Sequence, residues 1–130
     1  MKKFLIVSIV ILLGIFQLAL AEDERSLDNV DWEAFSKNLV NAFVVGNDGV
    51  KVGAMKNIIT YGDYLNVENA AFDVVKIYRS HPNQRIRQMA AITITKMNNK
   101  WAMYFLKRNG KFENNLLIKG QILDYFKHVQ

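Results

Sequence analysis

The chain has no cysteine and a single proline, Pro82, in its 130 residues. Without cysteine, disulfide stapling, thiolate catalysis and cysteine-based metal ligation are all excluded. Lipid attachment through a cysteine behind an export signal is closed for the same reason. Glycine-rich phosphate loops are missing, and Ser26, Ser36 and Ser80 do not sit in a Gly-x-Ser-x-Gly elbow. Histidine is confined to His81, in a turn, and His128, near the C-terminal tip. Neither is expected to have an acidic or histidine neighbour at the helical spacing that zinc sites use, so no metal or cofactor is expected. The carboxylates are scattered, with no pair placed by spacing as acid and base. The Gly46-Asn47-Asp48-Gly49 stretch lacks the alternating oxygens and closing glutamate of a calcium loop and reads as a turn. A non-enzymatic protein is expected.

Acid is scarce in the second half. From Val75 to Gln130 there are eleven Lys/Arg against Glu113 and Asp124, while Glu22 to Val74 is acidic. Such asymmetry fits either solvated helical faces or an anionic partner for the basic half. A second long apolar run is also missing: beyond Leu20 no stretch is long and apolar enough to cross a bilayer.

The one such run is at the start. Met1-Lys2-Lys3 is a basic region, Phe4 to Leu20 is almost unbroken apolar sequence, and Ala19-Leu20-Ala21 precedes Glu22-Asp23-Glu24. Charge, apolar core and a small-x-small site in that order read as a secretory signal peptide over residues 1–21. A retained N-terminal anchor is the alternative. Export, periplasmic or secreted, is expected after cleavage near Ala21. Residues 22–130 then form one domain, whose stability must come from packing.

Turn residues recur through that domain: Gly46 to Gly49, Tyr61-Gly62-Asp63, His81-Pro82-Asn83, Asn98-Asn99 and Asn109-Gly110. Between them run helical stripes, such as Trp32, Phe35, Leu39 and Phe43, or Val67, Ala70 or Ala71, Val74 and Ile77 or Tyr78. Asn66 is placed to cap the second stripe, with Glu68 in its first turn. A β-hairpin over Phe43 to Val52 and a strand over Ile92 to Thr95 are the rival readings. Ala54, Met55 and Lys56 favour helix.

A longer recurrence decides for helices. Asn47-x-x-Val50-Lys51-x-x-Ala54-x-x-x-Ile58 is followed by Asn83-x-x-Ile86-Arg87-x-x-Ala90-x-x-x-Ile94. Then comes Asn115-x-x-Ile118-Lys119-x-x-Ile122-x-x-x-Phe126. The asparagines lie 36 and 32 residues apart, each copy preceded by another apolar-striped segment. That period is the mark of stacked helix pairs. On these residues the chain resembles the HEAT-like family of helical repeats, in pairs of about 31–59, 66–97 and 99–128. Two positions depart from the family pattern. Asparagine stands where the turn aspartate is usual, and the large Ile122 stands at the small-residue position.

The resemblance implies an all-α fold, a short α-solenoid of about three helix pairs. It implies binding of a protein through the face of the second helices. Ile86, Ala90 and Ile94 are expected to pack on the preceding helix, Pro82 to lie in the first turn, and Arg87 to project at the edge. A cation in a first helical turn opposes the helix dipole, so each needs a partner. Since asparagine cannot neutralise it, Lys51, Arg87 and Lys119 are expected to form a partly unpaired basic column. With Lys56 and Arg85 nearby, these five are the candidate binding residues. An internal ladder is the competing role.

The stretch from Asn99 to Arg108 mixes aromatics and bases, a pattern seen at membrane surfaces and nucleic acids. Trp101, Tyr104 and Phe105 are expected instead to face neighbouring repeats. Nucleic acid is disfavoured for an exported chain. Docking on an anionic envelope polymer or lipid is the second functional expectation.

Overall fold

The structure, a computed structural model, describes residues 27–129; the expected signal peptide lies outside the described residues. The helical fold occupies the unit from Trp32 onward. Its six helices are α1 (Trp32–Val45), α2 (Asp48–Tyr61), α3 (Ala71–Ser80), α4 (Gln84–Lys96), α5 (Lys100–Gly110) and α6 (Leu116–Val129). Short 3-10 turns at Gly62–Tyr64 and Glu68–Ala70 join α2 to α3. Among the described residues there is no strand, so the fold is all-α. Both rival β segments are helical.

Asparagine starts four of these helices by the same means. Asn47 Oδ1 accepts from the Val50 amide at 3.0 Å, Asn83 from Arg85 at 2.9 Å, Asn99 from Ala102 at 2.9 Å, and Asn115 from Ile118 at 3.1 Å. Each satisfies a backbone donor that the first turn leaves orphaned. Pro82 is not inside the helix: it precedes the Asn83 cap, where its missing N–H costs no helical bond. Asn66 is not a cap. Its own amide donates to Ser36 Oγ at 3.0 Å, tying the loop to α1, and α3 begins only at Ala71.

The core is aliphatic and continuous. Leu39 and Phe43 of α1, Met55 and Ile58 of α2, Val74 of α3, Ala90 and Ile94 of α4, Leu106 of α5, and Ile118 and Ile122 of α6 are all buried. Ile86, Ala90 and Ile94 share one face of α4, as the spacing predicts, with Ile86 at its half-buried end. α4 is the central helix, packing against α2, α3, α5 and α6. The large Ile122 at the small-residue position is compensated from across the pair. A Cβ on Gly110 would lie 2.4 Å from Ile122 Cγ2, so the glycine of α5 makes the space that the third copy lacks on α6.

Candidate functional site

The turns between paired helices carry the fold's most organised polar cluster. Arg87, in the first turn of α4, directs Nη2 to both carboxylate oxygens of Glu113, at 2.9 and 2.7 Å. Its Nε donates to the Tyr78 carbonyl at 2.8 Å, with the guanidinium carbon 5.7 Å from the Tyr78 ring centre. The Tyr78 hydroxyl and the Asn115 amide also donate to Glu113, at 3.0 and 3.1 Å. The Arg87 side chain is 21% exposed and that of Glu113 6%. Burial alone would raise the Glu113 carboxyl. Hydrogen bonds from Arg87, the Asn115 amide and Tyr78, with the Arg87 charge, outweigh it and hold the group below its ordinary range. Burial first, then Glu113, pushes the Tyr78 phenol far above its usual value. It stays protonated and donates.

Arg87 is therefore neutralised, and the expected unpaired column is broken at its centre. The sequence reading assigned no partner to Glu113. A signal for it exists: Glu113 stands two residues before the cap Asn115, as His81 stands two before Asn83. Both accept the amide of their cap asparagine, His81 through Nδ1 at 3.0 Å. Both also reach back to the preceding copy, since His81 Nε2 lies 3.1 Å from Asp48 Oδ2 at the start of α2. A donated N–H at Nδ1 places the ring hydrogen on Nε2, facing Asp48. His81 is thus a turn residue that links α2 to the α3–α4 turn. His128 does have an acidic neighbour at helical spacing, Asp124, at 3.3 Å in an exposed pair. No third ligand joins them among the described residues.

The other four candidate cations are placed differently. Lys51 is half-buried beside a hollow of about 240 Å³ that Asp73, Lys76 and His81 also line. Arg85 is exposed beside Gln84, Gln88 and Leu117, Lys56 is exposed on α2, and Lys119 is half-buried on α6. Among the described residues none of these four makes a salt bridge. They do not converge on one point: Lys51 and Arg85 border separate hollows.

A more coherent feature lies between α4 and α6. Ala91, Ile92, Thr95 and Lys96 of α4 face Gln121, Ile122 and Tyr125 of α6 across a mostly apolar groove of about 320 Å³, with Leu106 of α5 contributing. Above it, Gln88 Nε2 donates to Gln121 Oε1 at 3.0 Å, bridging the same two helices at the surface. This volume is at the lower end for a binding hollow and admits one large apolar side chain. Periodicity alone could not show it, because Ile92 lies off the Ile86, Ala90 and Ile94 stripe of the recurring motif.

One aromatic placement departs from expectation. Trp101, 48% exposed, faces Phe72 of the preceding pair and Phe105 packs against the core, but Tyr104 is 63% exposed. α5 instead buries Ala102, Leu106 and Gly110, the smaller residues one position on.

Comparison with protein-family models, with curated proteins and with solved structures finds no significant match to this chain.

Proposed function

We propose that this protein is a non-enzymatic binding module: a short α-solenoid of three HEAT-like helix pairs that holds an extended segment of a partner protein along its second helices. The pairs are α1–α2, α3–α4 and α5–α6. Supporting the solenoid reading is the order of contacts: α1, α3 and α5 neighbour one another in succession, and so do α2, α4 and α6. In a stack of pairs each unit meets only its neighbours, which produces that order. The reading includes export after removal of residues 1–21, on the strength of the N-terminal sequence pattern.

The observation that carries the binding role is the groove between α4 and α6. Apolar Ala91, Ile92 and Ile122 supply burial, while Lys96 and Gln121 at its edge offer polar contacts to a passing backbone. A partner segment with one apolar residue flanked by acids fits it. Lys119 on the same helix and Arg85 on α4 add attraction at longer range. Lys51 and Lys56 serve only a segment that continues to α2. Arg87 contributes by positioning the turn, through Glu113.

The test compares retention of partner proteins from envelope extract by the full chain and by Ile92→Asp, at high salt. Ile92 is 38% exposed, so melting is followed alongside and recovery is compared per folded molecule. A discrete protein lost with Ile92→Asp supports the reading, and identical recovery by both chains refutes it.

A further inference from the structure

α3 and α5 are neighbours, and each carries an outward row that the core does not use. On α3 the row is Phe72, Lys76 and Arg79; on α5 it is Trp101, Tyr104 and Arg108. All six are exposed, Phe72 to 67%. The Phe72 and Trp101 rings stack at 6.3 Å between centroids and 22° between planes, joining the two rows into one patch. Among the described residues Lys76, Arg79 and Arg108 make no salt bridge. α5 contains no acidic residue, and α3 contains only Asp73, half-buried.

Rings and unpaired cations together narrow the class of surface that fits. A soluble polyanion would be held by the cations alone and leaves Phe72 and Tyr104 in water. An apolar protein partner would bury the rings and leave three cations without counter-charge, at a desolvation cost. A bilayer with anionic lipid satisfies both. Trp and Tyr settle at headgroup level, and Lys and Arg extend past them to the phosphates.

We propose that the α3–α5 face docks this protein on an anionic lipid bilayer. Phe72, Trp101 and Tyr104 enter the headgroup layer, and Lys76, Arg79 and Arg108 meet lipid phosphates. No described helix is long and apolar enough to cross a membrane, so this face meets the bilayer from its surface. The surface belongs to the first helices of the pairs, so the α4–α6 groove stays open while the protein is docked. This inference stands apart from the groove reading, and either can fail without the other.

The test uses the chain from Glu22 onward, which lacks the apolar run of residues 4–20 that would itself enter vesicles. It keeps the whole core, Leu39 to Ile122. Sedimentation with phosphatidylcholine vesicles, with and without phosphatidylglycerol, should show binding only when the anionic lipid is present. Each of Lys76→Gln and Arg108→Gln should weaken it about fivefold. Trp101→Ser with Tyr104→Ser should weaken it further per folded molecule. In a Trp32→Phe background, Trp101 fluorescence should shift to the blue and be quenched by brominated lipid. The proposal is overturned by absent binding to phosphatidylglycerol vesicles or by Trp101 that stays unquenched. Equal binding to a soluble polyanion that survives the serine substitutions would overturn it as well.

Discussion

Arg87 Nη2 touches both carboxylate oxygens of Glu113, at 2.7 and 2.9 Å, and so ties the first turn of α4 to the turn that opens α6. Glu113 is nearly buried, so losing its counter-charge leaves a carboxylate with little water to replace it. Arg87→Met is expected to cost about 2–4 kcal/mol, measured by chemical denaturation. The pair Arg87→Met with Glu113→Leu should cost less than the sum of the two single substitutions. Additive costs would show that the two do not interact in solution.

The same cluster contributes to the pH dependence of stability. Glu113 titrates below its ordinary 4.5 in the folded protein. Its contribution is therefore complete above that value and is lost as pH falls through the lower, folded value. Tyr78 behaves in the opposite sense. Its folded value is raised above 10.0, so its contribution holds below pH 10 and is lost on the alkaline side. Melting temperature followed against pH should fall at both ends. Glu113→Gln should flatten the acid limb and Tyr78→Phe the alkaline one.

Two glycines should respond to alanine with opposite signs. Gly110→Ala places a methyl 2.4 Å from Ile122 Cγ2, on a β-branched side chain that cannot turn away. About 1–3 kcal/mol of destabilisation is expected, and most of it should vanish in an Ile122→Ala background. Gly120 lies inside α6 with nothing within 4 Å of a Cβ. Gly120→Ala should stabilise by about 0.5–1 kcal/mol through backbone entropy and helix propensity. Thermal melts of the two single variants decide the matter.

Asn98 is the one described residue other than glycine with a positive φ, 55°, at the end of α4. It holds the left-handed position that stops a helix, and Asn99 beside it caps α5. Asn98→Gly should be neutral or stabilising, and Asn98→Val should cost more than 1 kcal/mol, in the range of about 1–2. Asn99→Ala should cost about 1 kcal/mol through the lost cap. Equal stability of all three would remove the turn account.

What was legible in the sequence was the repeating helical pattern and the caps. Asparagine followed three residues later by an aliphatic one marks a helix start by local chemistry alone, and the structure places α2, α4 and α6 there. Asn66 misled because a cap is decided by the path of the chain: the Ser36 hydroxyl claims its amide across thirty residues of sequence. Tyr104 misled because Ala102 and Leu106 take the buried side of α5, and a three- and four-residue step does not reveal which side that is. Glu113 was legible only in part: its place two residues before the cap Asn115 is local, but its ion pair is not. Its partner is 26 residues away, and only the fold brings the two charges together.

The most direct measurement is photocrosslinking from the α4–α6 groove, with benzoylphenylalanine in place of Ile92 and, in a second chain, in place of exposed Tyr64. The account predicts one discrete protein adduct from position 92, absent from position 64 and suppressed by Tyr125→Asp on the facing helix. Adducts that are equal at both positions, or indifferent to Tyr125→Asp, would contradict it.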